Sequence, residues 1–144
     1  MKRNAIILAA GKSSNFAPFT YEKPKGIFCV KGEILIERQI RQLHEAGVEE
    51  IYIVVGYMKE KFFYLEEKYG VRLIVNNAFA EKGNLYSLYV AREYLADTYI
   101  CCADHYFVEN PFLEENPLNL SYRACTYYQG KFREFGVDYS DAMV

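Results

Sequence analysis

Short apolar runs alternate with segments of helical periodicity along almost the whole chain, and this alternation restricts the folds that are open to it. Ala5–Ala10 and Ile51–Val55 are continuous apolar runs that predict buried strands. Arg72–Val75 and Thr98–Ala103 predict two more strands, and Tyr122–Tyr128 is a candidate for a fifth. Strands separated by helices favour a parallel sheet with right-handed crossovers.

Three helices are predicted between these strands. Apolar residues at helical spacing follow a short extended piece and a Lys31–Gly32 turn, and Gly47 is the expected stop. Lys59–Lys68 predicts a helix ended by Gly70, and Asn84–Leu95 predicts a third. The apolar face of this third helix is expected to be Leu85, Leu88, Ala91 and Leu95. We therefore expect an α/β fold, with a Rossmann-like mixed, mostly parallel sheet flanked by helices.

The carboxyl ends of the strands are the places where such sheets bind ligands. Four loops meet this condition: Gly11–Lys25, Gly56–Tyr57, Asn76–Asn77 and Asp104–His105. The first of them contains Gly11-Lys12-Ser13, which resembles the end of an ATPase phosphate loop. The first glycine of that motif would fall at position 6, where the chain has an isoleucine, so the spacing excludes it. A loop of small and polar residues after a strand can still bind a phosphate through backbone N–H groups.

Composition excludes several other classes of protein. The chain has 144 residues, enough for one domain with a core, and a net charge of −2, which gives no broad basic surface for nucleic acid. It contains no apolar run of membrane-spanning length. Its 4 cysteines form no C-x-x-C pair and there is no cluster of histidines, so no zinc motif is predicted. We expect a reduced, cytoplasmic protein.

Three segments together carry a family resemblance. The run "LAAGKSSNFAPFTYEKPKG" resembles the signature of sugar-phosphate and choline-phosphate nucleotidyltransferases. The helix with "ERQI", the "VVGY" strand end, and "NLYSL" followed by "CADHYF" are similar to the bacterial choline-phosphate cytidylyltransferases in particular. Two residues depart from the family pattern: Ser13 replaces a glycine, and Asn15 replaces the arginine that grips the nucleotide phosphates. Members of the family are longer, so residues 1–144 would be the N-terminal, nucleotide-binding portion of a C-terminally truncated domain.

The resemblance implies an enzyme and assigns roles to its residues. It would transfer a nucleotidyl group, favourably CMP from CTP, to a phosphorylated small acceptor such as phosphocholine, and release pyrophosphate. Lys25 would stabilise charge at the α-phosphate, and Asp104 would bind Mg²⁺. The nucleotide-binding residues would be Ala9, Ala10, Gly11, Lys12, Ser13, Ser14, Asn15, Lys25, Gly56, Tyr57, Asn77, Asn84 and Ser87. Aromatic and acidic residues would bind the choline head group: Tyr127, Glu134 and Phe135.

Plainer interpretations stay open for several of these residues. Lys12 and Ser14 could be solvated loop residues, Asn84 could be a helix cap, and the aromatic residues near the end could be core. Two other functions compete with the favoured one: a sugar-1-phosphate nucleotidyltransferase, and a non-catalytic nucleotide-binding domain, for which Asn15 is the motive. A regulatory or assembly subunit that keeps the fold without a ligand is a third.

Overall fold

The computed structural model describes residues 3–11 and 23–113, all of which belong to one compact unit, Met1–Leu113. Residues 114–144 lie outside the described residues, and with them lies the predicted strand Tyr122–Tyr128. The prediction of one domain over residues 1–144 therefore stays a prediction.

A parallel sheet of four strands is the centre of the described part. The strands are β1 (Asn4–Ala9), β4 (Ile51–Val55), β5 (Arg72–Val75) and β6 (Thr98–Cys102). They lie in the order β5-β4-β1-β6, and all three neighbouring pairs are parallel. Because β1 lies between β4 and β6, its apolar residues are hydrogen-bonded to a strand on either side. The first four predicted strands and their parallel pairing are confirmed.

A small hairpin lies between β1 and the first helix. It pairs β2 (Cys29–Val30) with β3 (Glu33–Ile34) in antiparallel fashion. Its turn residues Lys31 and Gly32 both have positive φ angles, 51° and 81°. Such angles suit the tight turns that join short hairpins, and the predicted turn is confirmed.

The helices cover both faces of the sheet, because alternate residues of β1 point to opposite sides. Helix α1 (Leu35–Glu45) and helix α2 (Tyr64–Tyr69) pack on the side of Ala5, Ile7 and Ala9. Helix α3 (Asn84–Val90) lies on the other side. The buried residues there include Ile6, Leu8, Ala10, Tyr52, Val54 and Ala91. This is the flanked parallel sheet that the sequence predicts.

Helix ends agree with the glycine signals, and helix lengths do not. Gly47 and Gly70 both follow helix ends with left-handed backbone, φ 82° and 71°, as expected of C-terminal glycines. The predicted helix Lys59–Lys68 is instead a 3-10 turn over Lys59–Phe62 followed by α2. Tighter turns of this kind are common where a helix begins.

The predicted helix Asn84–Leu95 is also shorter than expected. Helix α3 ends at Val90 and continues as a 3-10 turn over Arg92–Tyr94. Of its predicted apolar face, Leu88 and Ala91 pack against the sheet, whereas Leu85 is 82% exposed. A helix of two turns brings only part of such a face to the sheet.

A buried carboxylate joins α1 to α2. Glu37 accepts hydrogen bonds from the hydroxyls of Tyr64 and Tyr69, each at 2.6 Å, and from the ammonium of Lys68 at 2.8 Å. Burial by itself raises the pKa of Glu37, but the bonds from Lys68, Tyr64 and Tyr69 outweigh it and leave the pKa below its ordinary value. Burial and the bond to Glu37 in turn raise the pKa of Tyr64. A buried, charged carboxylate with three hydrogen bonds therefore links helix α1 to helix α2.

Among the described residues, no helix is both long and apolar enough to cross a bilayer.

Candidate active site

A cleft opens at the carboxyl edge of the sheet, between the ends of β1 and β6. Its volume is about 190 Å³, and its lining comes from the end of β1, from residues 24–26, from the start of α3 and from the turn after β6. The lining residues are Leu8, Ala9, Gly11, Pro24, Lys25, Gly26, Asn84, Cys102, Ala103, Asp104 and His105. From β1 the chain crosses first to β4 and β5 on one side, and later returns to β6 on the other. The cleft therefore lies at the point where the strand order reverses, the usual ligand site of such sheets.

Lys25 and Asp104 meet in this cleft. The Lys25 Nζ atom lies 3.0 Å from the Asp104 Oδ2 atom, and the two side chains keep 20% and 33% of their exposure. Lys25 begins a short 3-10 turn directly after Pro24, and Asp104 lies in the turn that follows β6. The two residues predicted to carry the chemistry are thus an ion pair that solvent and ligands can reach.

A buried glutamine supports the turn that holds Asp104. Gln39 of α1 is completely buried, and its Nε2 atom donates to the carbonyl oxygen of Cys102 at 2.7 Å and to that of His105 at 3.0 Å. Gln39 is not among the site residues predicted from the sequence. A signal was present, because Gln39 falls on the same helix face as Ile36, Ile40 and Leu43, where a polar side chain needs partners.

Cys102 and His105 lie beside Asp104. The thiol sulfur, a carboxylate oxygen and an imidazole nitrogen of these three residues lie within 4.8 Å of one another. Burial, and then the charge of Asp104, raise the pKa of the Cys102 thiol. For Mg²⁺ the fitting donor of the three is Asp104, since this ion takes oxygen ligands and commonly uses one or two carboxylates together with substrate phosphates.

Two glycines of the predicted site have different surroundings. Gly11 lines the cleft, and a Cβ atom placed on it would have no described atom within 4 Å. A Cβ atom on Gly56 would lie 2.7 Å from the Cβ of Phe79 and 2.9 Å from the carbonyl oxygen of Asn76. Gly56 is therefore required by close packing, and it is not among the described residues that line the cleft. Gly26, not predicted, would meet Ala103 at 2.9 Å.

The residues predicted beside Gly11 and Gly56 also differ in role. Ala9 lines the cleft, whereas Ala10 is buried in the core on the α3 side. The N–H of Tyr57 donates to the carbonyl of Ala10 at 3.0 Å, so the β4 end supports the β1 end. Tyr57 itself lies outside the described lining.

Only one of the three polar residues predicted around α3 reaches the cleft among the residues described. Asn84 lines it, as the first residue of α3, and the N-cap position belongs to Gly83. Ser87 is buried, and its hydroxyl accepts a hydrogen bond from Asn76 at 2.9 Å. Asn77 is exposed. At the end of β5, Asn76 is therefore the residue whose side-chain amide links the strand end to α3.

The remaining predicted residues lie outside the described residues. In the loop after Gly11 they are Lys12, Ser13, Ser14 and Asn15, and in the acceptor group they are Tyr127, Glu134 and Phe135.

Comparison with known proteins gives a consistent set of relatives. Residues 5–127 match the family model described as "MobA-like NTP transferase domain". The chain is 44% identical to the choline-phosphate cytidylyltransferase of Streptococcus pneumoniae over 95% of this chain and 59% of that protein. It is 42% identical to the 2-aminoethylphosphonate cytidylyltransferase of Lancefieldella rimae, over 91% of this chain and 52% of the relative.

A solved structure agrees with these sequence matches. The CTP:phosphocholine cytidylyltransferase of Streptococcus pneumoniae superposes with a TM-score of 0.75 at 47% identity, over 77% of this chain and 49% of that one. The resemblance drawn from the sequence motifs and the expected fold are confirmed. The chain spans about half the length of the relatives that it matches.

Proposed function

Because this chain belongs to the MobA-like NTP transferase family, we propose that it carries the nucleotide-binding part of a cytidylyltransferase. In the proposed reaction an oxygen of the acceptor phosphate attacks the α-phosphorus of CTP. The bond from that phosphorus to the oxygen bridging to the β-phosphate breaks, and pyrophosphate leaves. The observation that carries the proposal is the Lys25–Asp104 ion pair in the cleft between β1 and β6.

Lys25 supplies the positive charge that this reaction requires. Negative charge builds up on the α-phosphate oxygens during attack, and an ammonium already held in place stabilises it without reorganisation. In the structure Asp104 holds that ammonium at 3.0 Å, so the charge is positioned before a nucleotide arrives. The phosphate nucleophile needs no deprotonation, so positioning and charge stabilisation are the main work of the protein.

Asp104 is the residue that would hold Mg²⁺ with the nucleotide phosphates. When bound, the cation neutralises phosphate charge and orients the leaving pyrophosphate. Ala9 and Gly11 line the same cleft with backbone that a nucleotide can approach closely, and Asn84, at the start of α3, adds a side-chain amide to the lining.

The acceptor is proposed from the relatives. The choline-phosphate and the 2-aminoethylphosphonate cytidylyltransferases are both more than 40% identical to this chain, and the acceptors in their names both join a cationic nitrogen group to a phosphorus oxyanion. Phosphocholine is favoured, since Tyr127, Phe135 and Glu134 would suit a quaternary ammonium. 2-Aminoethylphosphonate is the second candidate, and a sugar 1-phosphate the third.

The location that fits this function is the cytoplasm. CTP is a cytoplasmic substrate, and Cys29 and Cys102 are present as thiols, which suits a reducing compartment.

Thermal melts test the nucleotide half of the proposal. The chain is heated alone and with CTP, UTP, ATP or GTP, each with and without Mg²⁺. A nucleotide at a hundredfold excess over its Kd adds about 2.7 kcal/mol of stability. We expect a CTP-selective, Mg²⁺-dependent rise in Tm that Asp104→Asn removes. An equal rise with all four nucleotides contradicts cytidine selectivity, and no rise at all contradicts the nucleotide site.

Pyrophosphate release tests the acceptor half. CTP is supplied with phosphocholine, 2-aminoethylphosphonate or glucose 1-phosphate, and the pyrophosphate that the natural chain releases is measured. Asn15→Arg is assayed in parallel. Turnover by the natural sequence excludes the non-catalytic alternative, whereas turnover by the arginine variant alone assigns the loss of activity to Asn15.

A further inference from the structure

Three side chains of different chemistry converge at the end of β6 and in the turn that follows it. A thiol, a carboxylate and an imidazole, from Cys102, Asp104 and His105, present ligand atoms within 4.8 Å of one another. Their spacing in the sequence, Cys-x-Asp-His, matches no standard zinc motif, which is why the sequence predicts no zinc site. The convergence exists because the chain reverses direction immediately after β6.

The backbone that carries these three residues is fixed from three directions. Gln39, fully buried, donates to the carbonyls of Cys102 and His105. The Ala103 N–H donates to the carbonyl of Leu8 at 3.0 Å, which ties the turn to β1. The His105 N–H donates to the Cys102 carbonyl at 3.3 Å and closes the turn. A metal ion would therefore not have to order the backbone of its site.

The donor set favours a different ion from the one that the nucleotide requires. Thiolate and imidazole select Zn²⁺ and similar transition metals, whereas Mg²⁺ is bound by oxygen. Tetrahedral Zn²⁺ with bonds of about 2.0–2.3 Å keeps its ligand atoms about 3.5 Å apart. In the structure the three ligand atoms lie within 4.8 Å of one another, so side-chain rotations that bring them about 1 Å closer reach this value. His105 is exposed and Cys102 is half-buried, which leaves these side chains room to move.

Lys25 does not prevent this arrangement. Its ammonium binds the Oδ2 atom of Asp104, so a cation can take the Oδ1 atom, at the cost of some repulsion, or displace the ammonium. All three residues also line the cleft, so the fourth position of the metal would face solvent or a nucleotide phosphate.

We propose that Cys102, Asp104 and His105 form a binding site for Zn²⁺ and chemically similar thiophilic cations, and that such a cation competes for the carboxylate of Asp104. The binding part stands on the geometry alone. The competition part rests on the proposed function, because it concerns the Mg²⁺ that accompanies the nucleotide. It makes the nucleotide site sensitive to inhibition by zinc.

Cobalt is the probe for the binding part, because Co²⁺ enters zinc sites and a thiolate ligand gives a charge-transfer band in the near ultraviolet. The whole chain is titrated with CoCl₂ under reducing conditions, and Zn²⁺ is then added to displace the cobalt. We expect a band that Cys102→Ser abolishes and that Cys29→Ser leaves unchanged. Cys29 is the matched control, since it is an exposed thiol away from the cleft lining.

His105→Ala keeps the test decisive if the serine variant folds poorly. His105 is exposed, so its loss spares the core, and we expect it to weaken Co²⁺ binding by roughly tenfold or more, by analogy with the cost of losing even an outer-shell partner. The absence of a thiolate band, a band that survives Cys102→Ser, or unchanged affinity in His105→Ala each overturns the proposal.

The competition part has its own readout. Zn²⁺ at increasing concentration is added to melts with CTP and Mg²⁺, and we expect it to lower the CTP-dependent rise in Tm in the natural chain and not in Cys102→Ser. An equal effect in both overturns the competition. A cobalt band without any CTP-dependent rise would contradict the proposed function and leave the metal site intact, so the two failures are distinguishable.

Discussion

Replacing Gln39 with methionine tests whether helix α1 supports the turn that carries Asp104 into the cleft. The Gln39 amide donates to the carbonyls at either end of the Asp104 turn, at 2.7 and 3.0 Å. Methionine has a similar volume and no donor, so the variant removes both bonds while the face of α1 stays packed. We expect a less stable protein whose Asp104 is less well placed.

The expected loss of stability in Gln39→Met can be estimated from the hydrogen bonds that Gln39 makes. Each neutral hydrogen bond contributes about 0.5–1.5 kcal/mol net, so two contribute about 1–3 kcal/mol. The Cys102 carbonyl keeps the His105 N–H at 3.3 Å, which limits the loss. The Gln39 Oε1 atom is buried and has no hydrogen-bond partner within the described residues, so its removal offsets about 1 kcal/mol. The expected decrease in the free energy of unfolding is therefore about 0–2 kcal/mol.

Urea unfolding measures this decrease, and Gln42→Met is the matched control. Gln42 lies on the same helix, donates one bond to the Phe107 carbonyl at 3.0 Å, and has a similarly buried Oε1 atom. With one bond lost and one unsatisfied atom removed, its expected cost is below about 1 kcal/mol. Only Gln39→Met should also reduce the Tm rise given by CTP with Mg²⁺.

Two results would refute this reasoning. If Gln39→Met is more stable than the natural chain, the two hydrogen bonds contribute less than the buried, unpaired Oε1 atom costs. If it is destabilised but keeps the full CTP-dependent rise, Gln39 supports the fold without positioning Asp104.

Three further predictions concern Lys25, Glu37 and the pair of glycines Gly56 and Gly11. Lys25→Met should lower the rate of pyrophosphate release by about 10²–10³-fold, as for loss of one preorganised charge or donor, while Lys23→Met at the nearby surface leaves the rate unchanged. An equal loss in both variants would contradict a specific role for Lys25. Glu37→Gln should cost about 2–3 kcal/mol in urea unfolding at pH 7. The pKa of Glu37 is lowered in the folded state, so the stabilisation that Glu37 gives is present above its unfolded pKa of about 4.3 and is lost as pH falls through its folded pKa. The free energy of unfolding of Glu37→Gln should therefore approach that of the natural chain at acidic pH. Gly56→Ala should lower the free energy of unfolding by about 1–3 kcal/mol through overpacking. Gly11→Ala should keep the melting temperature and weaken CTP binding. The opposite pattern would mean that Gly11 is required for packing and Gly56 for nucleotide binding.

Local signals predicted most of the scaffold. Continuous apolar runs identified the strands, and Gly47 and Gly70 marked helix ends because a left-handed residue is a local requirement. Helix lengths were wrong for Lys59–Lys68 and Asn84–Leu95, where packing against the sheet favours short helices with 3-10 turns. The spacing of apolar residues predicts which side chains are buried, but it does not predict how many turns of a helix pack against the sheet.

The structure brings some of the predicted site residues into the cleft and places others outside its described lining. Lys25 and Asp104 were predicted through motif resemblance, and the structure brings them into contact. Ser87 and Gly56 were predicted beside the nucleotide, yet their visible contacts are a hydrogen bond with Asn76 and packing on Phe79. Gln39 was missed because the partners of a buried amide lie far away in sequence.

By itself, then, the sequence determined that strands and helices alternate, where the main turns fall, and which loops carry polar residues. Four strand ends were equivalent candidates at that level. The order β5-β4-β1-β6 decided among them, because only β1 and β6 are neighbours across the reversal of strand order. That order depends on how both faces of the sheet are covered by helices, which is a property of long-range packing. It is also what places a lysine from one loop, an aspartate from another and a glutamine from a helix around a single cleft.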